Sequence, residues 1–146
     1  MRKGKLEYEN GDKYDGELRL GQKCGRGEFI WANGNVHHGE WFMDIQNGPG
    51  VLTVKNGSRY DGGFLGGKRD GYGVYHSCGN KYAGEWKAGE MEGNGMYTWK
   101  NGNTYDGQWK NSKRDGKGVL ILLEEEERYE GEWKEGLKHG MGKLTE

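Results

Sequence analysis

Apolar and polar positions alternate along most of this chain, and the alternation restarts at a fixed interval. From Tyr82 to Trp86 the order is aromatic, alanine, glycine, glutamate, aromatic, so Tyr82, Gly84 and Trp86 share one face of a strand. Ala83 and Glu85 fall on the other face, which is expected to be polar. A second alternating run, Gly95-Met96-Tyr97-Thr98-Trp99, predicts a partner strand with Tyr97 and Trp99 on one side. Asn10-Gly11, Asn33-Gly34, Asn56-Gly57 and Asn101-Gly102 are pairs that suit tight hairpin turns with positive φ. A longer glycine-bearing loop, such as Lys87 to Gly93, is expected at the opposite end of each hairpin.

Aligned on the aromatic-x-Gly-x-aromatic core, the chain divides into hairpin units. Residues 1–13 are the back half of one unit. Full units cover 14–36, 37–59, 60–81, 82–104 and 105–128, and a last partial unit covers 129–146. A glycine lies two residues after every start: Gly16, Gly39, Gly62, Gly84, Gly107 and Gly131. Pairs such as Gly93 and Gly95, eleven and thirteen residues after the start, recur in all six units. Successive hairpins predict an all-β, single-layer antiparallel meander of about 13 strands, elongated and curved, roughly 60 Å long at about 4.8 Å per strand. Each mid-strand glycine leaves a slot for a neighbouring ring. Two rows of rings follow, Tyr14, Tyr60, Tyr82, Tyr105 and Tyr129 in one, and Trp41, Phe64, Trp86, Trp109 and Trp133 in the other.

The run Tyr129-Glu130-Gly131-Glu132-Trp133-Lys134-Glu135-Gly136-Leu137-Lys138-His139-Gly140-Met141-Gly142 closely resembles the MORN repeat (membrane occupation and recognition nexus), and the likeness extends over essentially all 146 residues. The resemblance implies a single-layer antiparallel sheet. It also implies a role as a cytoskeletal or ciliary scaffold, a junctional protein, or a targeting module attached to an enzyme.

Composition narrows the function. With 22 Lys+Arg against 23 Asp+Glu, a net charge of -1 gives no general attraction to nucleic acid or acidic membranes. Thirty glycines and one proline, without a G-X-Y period, exclude collagen, while 12% aromatic residues argue against disorder. The start of the chain lacks an apolar signal stretch, and Val119 to Leu123 is far too short to span a bilayer. No HExxH, CxxC, GxSxG or P-loop occurs, so neither catalysis nor a cofactor is expected. Cys24, placed in a hairpin loop, and Cys78, in a turn at the opposite edge, are too far apart to pair and suit a reducing cytoplasm. His37, at a repeat position otherwise held by tyrosine, reads as a substitution in the scaffold.

The candidate site is therefore a binding face. Nothing in a one-layer sheet covers its ring side, so a groove floored by exposed aromatics is expected to take a helix or extended peptide of a protein partner. Its candidate residues are Tyr60, Phe64, Tyr82, Trp86, Trp99, Tyr105, Trp109 and Trp133, helped by Phe42 and Ile45 in the unusually apolar loop of the second unit. An alternative is an anionic headgroup site on the basic loops, at Lys68, Arg69, Lys113 and Arg114. Asp70 and Asp115 interrupt those pairs and make membrane contact weak. Glu124 to Glu127 replace an Asn-Gly turn and are expected to form an extended solvated loop or, on a sharper reading, a docking knob for a basic partner. The terminal strands are expected to support end-on homo- or hetero-association. The family resemblance alone suggests a cytoplasmic, cytoskeletal setting, such as the axoneme of a cilium.

Overall fold

The computed structural model describes residues 2–146. They form thirteen strands: β1 (Arg2–Glu7), β2 (Lys13–Arg19), β3 (Gln22–Ile30), β4 (Val36–Phe42), β5 (Ile45–Thr53), β6 (Arg59–Leu65), β7 (Lys68–Ser77), β8 (Asn80–Lys87), β9 (Glu90–Thr98), β10 (Thr104–Lys110), β11 (Lys113–Leu122), β12 (Glu127–Lys134) and β13 (Leu137–Thr145). Every strand pairs with its sequence neighbours, giving one open sheet in the order β1 to β13. The chain is all-β, a single antiparallel meander, as its alternation predicts.

The two ends of the hairpins differ from the expectation. The two-residue turns lie where the longer loop was expected: Lys87 pairs with Glu90, so only Ala88 and Gly89 turn the chain. Their φ angles of 49° and 88° are both left-handed, as tight hairpins of this twist require. The Asn-Gly pairs instead sit in wider turns. Gly11 N–H donates to the Tyr8 carbonyl at 3.0 Å, and of the pair only Gly11 has positive φ, 96°. Asparagine serves here by its side chain, since Asn10 Oδ1 accepts the Asp12 N–H at 3.0 Å. Leu123 to Glu126 also close as a turn, with Glu126 N–H on the Leu123 carbonyl at 3.2 Å, so the expected extended acidic loop is corrected. Glu127 is already in β12. Cys24 likewise belongs to β3 and not to a loop.

Side chains tie successive hairpins at both edges. At one edge Asn35, Asn80 and Asn103 carboxamide oxygens accept the N–H groups of Lys55, Lys100 and Leu123. At the other, Asp70 and Asp115 accept from Ala88 and Glu135. These two aspartates are thus part of the scaffold.

Candidate partner-binding face

The glycines decide how the rings pack. Tyr82 lies flat over Gly84 and over Gly95 on the next strand, and a Cβ on Gly95 would collide with the Tyr82 ring. The slot is filled by the unit's own tyrosine, which corrects the expectation of a neighbouring ring. From there the Tyr82 hydroxyl donates to the Glu85 carbonyl at 2.9 Å, and Tyr14, Tyr60, Tyr105 and Tyr129 make the same bond three residues ahead. The pairing of β8 with β9 slips between Gly84 and Trp86, a bulge that Gly93 allows with φ of 70°.

Trp86, Trp109 and Trp133 then each stand edge-on between two tyrosines. Trp86 meets Tyr82 at 5.1 Å and 87°, and Tyr60 of the preceding unit at 5.5 Å and 89°. Trp109 meets Tyr105 at 5.1 Å and Tyr82 at 5.4 Å, and Trp133 meets Tyr129 at 5.3 Å and Tyr105 at 5.4 Å. Such T-shaped contacts match the ring quadrupoles. The indole N–H groups of Trp41, Trp86, Trp109 and Trp133 donate to glycine carbonyls of the preceding unit, so the ladder is also satisfied in its polar groups.

This packing closes the face. Tyr60, Phe64, Tyr82, Trp86, Tyr105, Trp109 and Trp133 are all no more than 7% exposed. They are core, and the expected groove floored by those exposed rings is not present. Burial pushes the Tyr60 and Tyr105 hydroxyls up to about 12 and raises Tyr82 further, so these groups stay protonated and serve as donors.

The accessible layer lies beside the ladder, toward the Asn-Gly edge. Tyr75, Tyr97, Trp99 and Leu122 are half-buried and pack against the core rings. Tyr97 is tilted against Trp99 at 4.8 Å and against Trp109 at 6.1 Å, and Tyr75 meets Trp86 edge-on at 6.1 Å. Of the candidate residues, Trp99 alone belongs to this strip. Tyr75, Tyr97 and Leu122 were missed, although their spacing of fifteen or seventeen residues from each unit start marks them as a further apolar column. Tyr8 and Trp31, both packed on the buried Phe29, make a second such strip beside the first units. Between the two strips Ser58 and Ser77 hydroxyls meet at 2.9 Å.

Phe42 and Ile45 do not join this face. Phe42 follows the buried Trp41 in β4 and pairs with Ile45, so strand alternation turns both to the opposite side. The idea that the second-unit loop grips the same segment as the rings is therefore corrected. The other face is not uniformly polar either. Val51, Val74, Ala83, Met96 and Val119 form a row there with Asp61 and Asp106.

The basic set also divides. Arg69 lies over the Trp86 ring at 4.5 Å and donates to the Gly89 carbonyl at 3.1 Å. Arg114 lies over Trp133 at 4.4 Å and donates to Gly136 at 3.0 Å. These are cation–π and tip contacts of the scaffold. Lys68 and Lys113 are exposed on the opposite face by alternation, so the four cations do not converge on one headgroup.

His37 interrupts the tyrosine row. It is 0% exposed, meets Trp41 at 5.1 Å and Phe64 at 4.6 Å, and neither ring nitrogen has a partner. Desolvation lowers its pKa to about 4, with adjacent His38 adding to the shift. Two buried clusters meet at this residue, one from Tyr14 to Trp41 and the other from Tyr60 to Trp133. Among the described residues no group of three His, Cys, Asp or Glu side chains is arranged to hold a metal ion.

A family model described as MORN repeat matches residues 14–36, 37–59, 60–80, 82–104, 105–122 and 129–145. Comparison with curated proteins gave no match.

Proposed function

The chain belongs to the MORN-repeat family, and on that premise we propose that it is a non-enzymatic scaffold or adaptor that holds a segment of a protein partner against its ring-bearing face. MORN-repeat proteins are generally non-enzymatic scaffolds. The observation that carries the reading is the half-buried strip of Tyr75, Tyr97, Trp99 and Leu122 on a ladder with no unfilled slots. Aromatic rings that are already held rigid lose little entropy when a partner covers them, which favours them as anchors. A helix or an extended peptide with apolar side chains fits such a strip. The setting proposed is cytoplasmic and cytoskeletal, with a ciliary axoneme suggested by family resemblance alone.

A pull-down with Tyr97→Ser combined with Trp99→Ser tests this reading. The double variant is expected to lose the protein retained by the wild-type chain while keeping the sheet folded. Retention of the same protein by a folded double variant would overturn the proposal. Headgroup targeting is the weaker reading, because Arg69 and Arg114 are engaged with rings and carbonyls.

A further inference from the structure

We propose that the strip beside the ring ladder takes a proline-rich segment in the polyproline II conformation, with a basic residue at the end that passes Leu122. This rests on the reading that a protein segment lies on the ring-bearing face, and it names the chemistry of that segment. The indole N–H groups of the chain divide into two sets. Those of Trp41, Trp86, Trp109 and Trp133 donate to glycine carbonyls. Those of Trp31 and Trp99 have no partner among the described residues. Because the buried side-chain polar atoms left unpaired are those of His37 alone, both indoles reach solvent.

Each of these two tryptophans opens a turn closed by an asparagine. Trp31 N–H donates to the Asn35 carbonyl and Trp99 N–H to the Asn103 carbonyl, both at 2.9 Å. Asn35 lies two residues before His37 and Asn103 two before Tyr105, so strand alternation puts both on the ring side. Their carboxamide oxygens are engaged, accepting the N–H groups of Lys55 and Leu123. The carboxamide N–H groups, like the indoles, have no partner among the described residues and are not sealed off. Ser58 and Ser77, which lie between the two turns, bond to each other. The margin of the strip is therefore a row of N–H donors.

Complementarity of charge selects the occupant. A β-strand brings an N–H for every carbonyl and does not match a row of donors. A helix engages its own carbonyls and meets the donors only through acceptor side chains, above all carboxylates. Those are repelled at both ends of the strip, by Glu9 and Asp12 on one side and by Glu124 to Glu127 on the other, and none of these acids forms an ion pair among the described residues. Proline has a carbonyl and no N–H, and a polyproline II segment leaves its carbonyls free and packs well on aromatic side chains. Lys55 and Lys100, whose stems lie over Gly34 and Gly79, add positive charge along the middle of the same margin. A neutral, acceptor-bearing middle is thus favoured, and the four acids beyond Leu122 favour a basic residue there. The period agrees. Successive units are two strands apart, about 9.6 Å, and one polyproline II turn of three residues advances about 9.3 Å.

The test is titration of the isotope-labelled full chain with a synthetic peptide of Pro-Pro-Leu repeats carrying two arginines at one end, made with the arginines first and with them last. Of the six tryptophan indole N–H signals, those of Trp31 and Trp99 are expected to shift while the four bonded to glycine carbonyls stay in place. Trp31→Phe with Trp99→Phe keeps two rings and removes two donors, and is expected to lower affinity by about tenfold with the melting temperature kept. Trp99→Phe alone gives the same reading if the double variant does not fold. A control peptide with alanine for every proline is expected to bind about tenfold more weakly, and glutamate for arginine to weaken binding by about threefold. Absence of binding by either proline peptide, equal or tighter binding of the alanine control, unchanged affinity in the phenylalanine variants, or shifts centred on Met96 of the opposite face would overturn the proposal. The two readings fail separately. If Tyr97→Ser with Trp99→Ser releases the protein retained by the wild-type chain while the proline peptides do not bind, the ring-face reading stands and the proline-rich occupant is refuted.

Discussion

Replacing His37 with tyrosine should stabilise the chain and remove most of one pH dependence. The five tyrosines of the row each donate to a carbonyl three residues ahead, and the position below His37 has the same glycine pair, Gly39 and Gly50. A tyrosine there can make the missing bond to the Glu40 carbonyl, and the two unpaired ring nitrogens disappear. One restored hydrogen bond and relief of buried, unpaired polar atoms give about 2 kcal/mol at neutral pH. For a chain of this size that is a rise in melting temperature of roughly 4–8 °C.

The pH effect has a definite sign. The neutral imidazole is favoured in the fold, with pKa lowered from 6.5 to about 4. Between those values the unfolded chain binds a proton that the folded chain does not. The wild-type chain is therefore at full strength with respect to this group above pH 6.5 and loses stability as pH falls toward 4. The accumulated loss is about 3 kcal/mol. Carboxylates titrate in both proteins, so the difference between wild type and His37→Tyr isolates residue 37. Urea melts of both proteins from pH 7.5 to 4 should diverge as pH falls. Parallel curves, or a variant no more stable than wild type at pH 7, would refute the account of the row.

Three other perturbations follow from the same structure. Gly95→Ala drives a methyl group into the Tyr82 ring and should cost about 3 kcal/mol or more in a denaturant melt. Gly89→Ala meets nothing within 4 Å and should cost only about 1 kcal/mol, from its φ of 88°. Arg69→Ala with Arg114→Ala should lower the melting temperature through the lost ring and carbonyl contacts. Flotation with anionic vesicles should show no change in whatever binding the wild type has.

Much of the architecture is legible in the alternation. Tyr82, Gly84 and Trp86 on one face fix the first strand of a hairpin, and the recurrence of that triplet fixes the meander. What escaped is the third dimension of the rings. A list of aromatic positions does not reveal that Tyr82 lies down over Gly95, or that Trp86 then fills the gap between two tyrosines. Counting rings therefore suggested an open groove where the chain seals its own face. The turns were misread for a related reason. Asn-Gly suits a two-residue turn in isolation, but here the asparagine side chain caps a wider one, and tips such as Asn111-Ser112 adopt left-handed φ of 50° and 63° without glycine. Arg69 and Arg114 looked like loop cations because sequence does not show the rings beneath them. Their alternation with Lys68 and Lys113 was a usable signal, since neighbours in a strand face opposite ways.

The central claim is that a protein partner lies on the ring-bearing face, along Tyr97 and Trp99. Site-specific photocrosslinking tests it most directly, with the reactive amino acid at Trp99 in one protein and at Met96 in another. Both positions lie in the last part of the same strand or just beyond it, and Met96 faces the opposite side, 42% exposed. A partner crosslinked from position 99 and absent from position 96 is the expected result. Crosslinks from position 96 alone would put the partner on the other face and contradict the claim.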